Sequence, residues 1–114
     1  MDYLENIQLQ IKKGLLEYSI LLVIKRGKVY ASDIIEQLNN TELIVVEGTL
    51  YPLLSRLKKN ELVVYEWKES KSGPPRKYYK LTQKGHDALS GLSETWGALY
   101  KSINSLIKNN EKGS

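Results

Sequence analysis

Apolar residues recur at steps of three and four along the start of the chain, at Leu4, Ile7, Ile11, Leu15, Tyr18 and Leu22. That spacing draws a stripe along one side of a helix running from Asp2 to about Lys25. Gly14 weakens its middle, and the dense run Ile20 to Ile24 predicts that the second half is buried on more than one side. Arg26-Gly27-Lys28 supplies a cationic last turn and a glycine stop. A short second helix is expected from about Ala31 to Leu38, with Ile34, Ile35 and Leu38 inward, ended by Asn39-Asn40-Thr41. Leu43 to Val46 reads as either a brief strand or an extended linker. From about Glu47 to Lys59 a third helix turns Leu50, Leu53, Leu54 and Leu57 inward, with Pro52 placed in the first turn or so, where a missing N–H costs little.

Beyond Asn60 the pattern changes. Leu62 to Trp67 and Lys77 to Leu81 are rich in β-branched and aromatic residues, and the stretch Lys68 to Arg76 between them is polar and full of turn formers. This predicts a β-hairpin with a long basic tip. Thr82 then caps a last helix that runs to about Lys108. Within it Leu89, Leu92, Trp96, Leu99, Ile103 and Leu106 alternate strictly at three and four residues, which is the seam of a coiled coil. The seam reads mainly as a partner surface, since a helix packed on its own domain shows a wider stripe; an intrachain core helix is the alternative. Pairing with a second copy, parallel or antiparallel, would make a two-fold dimer. The order helix, helix, helix, hairpin, helix is that of a winged helix-turn-helix. The expected fold is therefore mainly α with a small β-hairpin. Residues 1–81 would form the winged unit, its first helix joining the dimer, with 82–110 as the dimerisation helix and 111–114 as a disordered tail.

Charge sharpens this picture. The net charge is +4, but residues 50–85 hold nine Lys or Arg against three acids, so the remainder of the chain is slightly acidic. A basic block confined to the third helix and hairpin is a stronger nucleic-acid signal than overall basicity. On the outward side of the third helix, Thr49, Tyr51 and Ser55 offer hydroxyls, Arg56 suits a guanine edge or a phosphate, and Lys58 and Lys59 suit phosphates. Pro52 shares that side. In the hairpin, Lys68, Lys71, Arg76, Lys77 and Lys80 flank a turn stiffened by Pro74-Pro75, and a stiff wing loses less entropy on contact, with Lys71, Arg76 and Lys77 as its expected DNA contacts. Double-stranded DNA is the expected partner.

Catalytic chemistry finds no support. There is no cysteine, and His86, the one histidine, reads as an exposed first-turn residue of the last helix. No metal-ligating set accompanies it, Gly48 and Gly73 form no phosphate loop, and no cofactor is implied. No segment reads as a leader or as long enough to cross a bilayer, so a cytoplasmic, nucleoid-associated protein is expected. Trp96 carries two readings: apolar filling of the dimer seam, or one wall of a pocket for a flat aromatic effector, with Tyr100 and Tyr3 as further lining.

The stretch Gly48-Thr49-Leu50-Tyr51-Pro52-Leu53-Leu54-Ser55-Arg56-Leu57, followed by Asn60-Glu61-Leu62-Val63, closely resembles the PadR family of bacterial regulators. Gly73 to Thr82 and Gly85 resemble that family's wing and its exit into the last helix. The resemblance spans about Leu15 to Trp96. It implies a homodimeric winged-helix regulator, usually a repressor, with DNA contacts at Thr49, Tyr51, Pro52, Arg56, Arg76 and Lys77. It also implies an inverted-repeat operator and, for short members with a Trp on the last helix, phenolic or flat multidrug ligands between protomers. A constitutive repressor without ligand, or a winged-helix module for protein partners, are the alternatives. Asn60-Glu61 and the neutral Gly91 and Gly97 depart from the family's average.

Overall fold

The computed structural model describes residues 2–113. Helix α1 spans Tyr3–Lys25; the Asp2 carboxylate caps it by accepting the Glu5 N–H at 2.8 Å, and Gly27 ends it at φ 143°, where a side chain would be strained. Its second half is surrounded as expected, with Leu16, Ile20, Leu21, Val23 and Ile24 buried. The stripe itself is not: Leu4, Ile7 and Ile11 are exposed, because the first half of α1 projects beyond the core, and Leu22 is exposed on the outer side of the second half.

Two residues, β1 (Val29–Tyr30), lead directly into α2 (Ala31–Asn39). The Asp33 carboxylate accepts the Tyr30 N–H at 2.9 Å and so closes the first turn of α2. Ile34 and Leu38 are buried. Residues 41–46 form no strand and run as a linker. Thr41 Oγ1 donates to the Leu38 carbonyl at 2.7 Å and accepts the Leu43 N–H at 3.0 Å, Asn39 Oδ1 accepts the Val45 N–H at 3.2 Å, and Val45 is buried.

Helix α3 spans Glu47–Lys59 over the buried Leu50, Leu54 and Leu57. Pro52 falls in its second turn rather than its first, so the Gly48 carbonyl lacks its usual donor. Both residues are exposed, which leaves that carbonyl to solvent. The helix ends in a Schellman turn: Glu61 N–H donates to the Lys58 carbonyl at 2.9 Å and Leu62 N–H to the Leu57 carbonyl at 3.0 Å. The left-handed position falls to Glu61, at φ 63°.

Strands β2 (Val63–Ser70) and β3 (Gly73–Leu81) pair antiparallel, and β1 adds to the other side of β3, giving the order β1-β3-β2. The hairpin is therefore longer and its tip shorter than expected, with only Lys71 and Ser72 between the strands. Pro74 and Pro75 are accommodated within β3 because β1 ends at the Tyr30–Tyr78 pair and the ladder is irregular between Lys68 and Ser70. There a missing N–H costs no regular ladder bond.

Helix α4 runs from Gln83 to Gly113. Thr82 Oγ1 accepts the Gly85 N–H at 2.9 Å and donates to the Glu61 carbonyl at 2.6 Å, clipping the start of α4 to the end of α3. The expected disordered tail is helical through Gly113; Ser114 lies outside the described residues. Leu89 is 2% exposed and belongs to the core of its own protomer, which corrects its assignment to the partner seam. Only beyond it does the seam emerge.

Candidate nucleic-acid interface

The outward residues of α3 divide into two flanks, because 3.6 residues per turn put Tyr51, Ser55 and Lys58 on one side and Thr49, Pro52 and Arg56 on the other. The first flank faces the hairpin. Lys58 Nζ lies 5.3 Å from the centre of the Tyr65 ring, and Tyr51 shares a concavity of about 330 Å³ with Ala31, Trp67, Pro75, Arg76, Lys77 and Tyr79. The second flank faces α1, where Thr49, Pro52 and Arg56 line a groove with Lys13 and Leu16, and Arg56 is ion-paired with Glu17. Lys59 is exposed at the end of α3, and Lys71 at the tip of the hairpin.

Strand register sorts the hairpin residues in the same way. Val63, Tyr65 and Trp67 pair with Leu81, Tyr79 and Lys77 on the face turned to the core. Near Val63 that face is buried; toward the tip the cover runs out and Trp67 is 60% exposed. Lys77 Nζ is held 4.5 Å from the Tyr65 centre and 5.3 Å from that of Trp67, so its charge sits over aromatic rings at the rim of the concavity. Burial pushes the Tyr79 phenol above its ordinary value. On the opposite face Glu66 lies 3.0 Å from Lys28 Nζ and 3.6 Å from Lys80 Nζ. Hydrogen bonding to Lys28, then its charge, holds that carboxyl below the ordinary glutamate value. Arg76 stacks 4.4 Å over the Tyr30 ring and donates to Ser32 Oγ at 3.2 Å, which docks the wing on the first turn of α2. Hydrogen bonding to Tyr78 raises the Tyr30 phenol.

Of the expected contact residues the structure thus gathers Tyr51, Arg76 and Lys77 around one concavity with Ser55 and Lys58 on the adjoining flank, and sets Thr49, Pro52 and Arg56 apart on the α1 side. Trp67, Ser32 and Glu17 did not stand out in the sequence. For Trp67 a signal existed, a large aromatic at the far end of a strand, where a small core has run out. For Ser32 and Glu17 none did, since their partners lie 44 and 39 residues away.

On α4, Leu92, Trp96, Leu99, Ile103 and Leu106 are exposed in the single chain, Leu106 at 60%. Trp96 and Tyr100 place ring centres 6.0 Å apart at 51°. Tyr3, at the start of α1, meets neither ring among the described residues. His86 is exposed in the first turn, as expected. No helix among the described residues is long and apolar enough to cross a membrane.

Three helices, a half-exposed third helix and a basic hairpin docked beside it define a winged helix-turn-helix transcription regulator. Comparison narrows the class. Residues 20–91 match the model of the transcriptional regulator PadR-like family, and the chain belongs to that family, one of regulators and not of enzymes. A PadR-like transcription factor from Bacteroides fragilis is 53% identical, with a TM-score of 0.75 over 89% of this chain and 98% of that one. A PadR-like regulator from Bacillus cereus is 38% identical, with a TM-score of 0.79 over 86% and 96%. Bacillus subtilis PadR, solved in complex with operator DNA, shares the fold at 21% identity and a TM-score of 0.64, over 68% of this chain and 46% of that longer one.

Proposed function

We propose that this regulator binds double-stranded DNA as a homodimer, with α3 in the major groove and the β2–β3 wing along the neighbouring backbone, and represses transcription by occupying an inverted-repeat operator. The observation that carries the reading is the cation-rimmed concavity between α3 and the wing, where Tyr51, Arg76 and Lys77 converge beside Ser55 and Lys58. Lys59 and Lys71 extend the basic surface to either side, and Thr49 and Pro52 stand at its edge toward α1. The fold likeness to a relative bound to operator DNA supports the same partner. The dimer is supported by exposed apolar residues that water disfavours, Leu99 and Ile103 on α4 and Leu4 and Ile11 on α1 among them. Two-fold pairing of such helices matches a pseudo-palindromic site.

The test is salt-dependent binding to a duplex that the wild-type chain selects from a random pool. Log affinity should fall linearly with log salt, and Lys58→Gln and Lys77→Gln should each lower the slope by about one. A slope untouched by both changes would remove the α3–wing surface from contact. Release by a flat aromatic molecule is supported by the exposed Trp96–Tyr100 pair, which a second protomer would close into a slot. Quenching of fluorescence by such a molecule should disappear in Trp96→Phe; quenching that persists there would remove the slot from effector binding.

A further inference from the structure

Helix α3 packs on α2 and β2, which hold its buried side through Leu50, Leu54 and Leu57. That packing leaves its edge toward α1 to be set by other means. There a groove of about 340 Å³, floored by Leu16 and Leu53, separates the two helices, with Lys13, Thr49 and Pro52 on its walls. Arg56 reaches across to Glu17 of α1 and forms an ion pair. It lies five residues after Tyr51, about 140° further around the helix, so it points to the flank away from the wing. A guanidinium already neutralised by a carboxylate is a poor phosphate ligand. To reach DNA it would have to leave Glu17 uncompensated beside a polyanion.

We propose that Arg56 is a positioning residue: through Glu17 it sets the angle of α3 against α1, the helix whose exposed stripe joins the dimer, and so couples the reading helix to the dimer arm. The inference rests on the DNA-binding role proposed above. Both side chains are partly exposed, 60% for Arg56 and 34% for Glu17. Such a pair adds little to global stability, so its loss registers in DNA affinity and leaves the melting temperature nearly unchanged. The planar fork of arginine suits a fixed inter-helix angle, which a flexible lysine ammonium would hold less well.

The experiment compares wild type, Glu17→Gln, Arg56→Gln, the double variant and the exchange Glu17→Arg with Arg56→Glu, all as the full chain. Each is titrated against the duplex selected by wild type, between about 50 and 200 mM salt. Each single change is expected to weaken binding about fivefold, the double no further, with melting and salt slope unchanged. The exchange is expected to recover most of the loss. Should Arg56→Gln lower the salt slope by about one while Glu17→Gln binds at least as well as wild type, Arg56 contacts phosphate directly and the inference is overturned. Single changes without effect, or an exchange that binds no better than Arg56→Gln, overturn it too. A wild-type chain that selects no duplex overturns the DNA-binding role and this inference together; any of the three other patterns, with a duplex selected, overturns this inference alone.

Discussion

Glu61 and Gly85 show how single residues fix the joint between the reading helix and the long last helix. Glu61 occupies the left-handed position of the Schellman turn, where a Cβ costs about 1–2 kcal/mol and glycine costs none of it. Glu61→Gly is therefore expected to stabilise the fold by about 0.5–1 kcal/mol after the extra chain entropy of glycine is deducted, as read by urea denaturation. Gly85 is the reverse case. A Cβ there would collide with the Leu62 carbonyl oxygen, which also accepts the Thr82 N–H at 3.1 Å. Gly85→Ala should cost about 2–3 kcal/mol, since backbone and not a flexible side chain must move; a melt within a degree of wild type would mean that α4 shifts freely. Glu66 sets a pH dependence. Its folded-state carboxyl is held below the ordinary glutamate value by Lys28 and Lys80, so its contribution is present at neutral pH and lost as pH falls through the glutamate range. Glu66→Gln should flatten melting temperature against pH on that acid side; an unchanged acid limb would show that the ion cluster contributes nothing.

At the scale of elements, α3 and the wing act as one surface because register and helical period agree. Tyr51 and Lys58 turn toward the hairpin, while Trp67 and Lys77 sit opposite each other on its inner face. The chain has two tryptophans, one on this surface and one on α4, which makes the elements separately visible. In a Trp96→Phe background, binding of a selected duplex should change the emission of Trp67; with Trp67→Phe instead, the change should be small. Emission of Trp67 that ignores DNA would place the wing off the duplex. Much of this surface was legible in sequence: the basic block, the hairpin and the inward leucines of α3 are local patterns. The division of α3 into two flanks was not. All its outward residues look alike until the wing and α1 are placed on either side, and Arg56 shows the consequence.

At the scale of the molecule, α1 and α4 project from the core, giving extents of 61 × 34 × 22 Å, and both carry uncovered apolar stripes. Leu99→Glu with Ile103→Glu should leave a chain that sediments at 13.1 kDa instead of twice that mass. It should retain the winged-helix melt, because neither residue touches the buried core. Specific DNA affinity should fall by orders of magnitude as the two half-sites lose their linkage. A double variant that still sediments as a dimer would move the interface to α1 or elsewhere.

The sequence by itself determined the order and type of the main elements, the basic block and the family, since periodicity, caps and turn chemistry act over a few residues. Thr82 as the cap of α4 and Gly27 as the stop of α1 read the same before and after folding. Tertiary structure alone decided what depends on residues far apart along the chain. Strand β1 is two residues long, too short for any periodicity, and exists because β3 offers an edge beside it. Leu89 looks like its seam neighbours in sequence yet is buried, because the first turns of α4 lie on the core and the later ones have left it. Arg56 looks like its outward neighbours on α3 until α1 brings Glu17 against it.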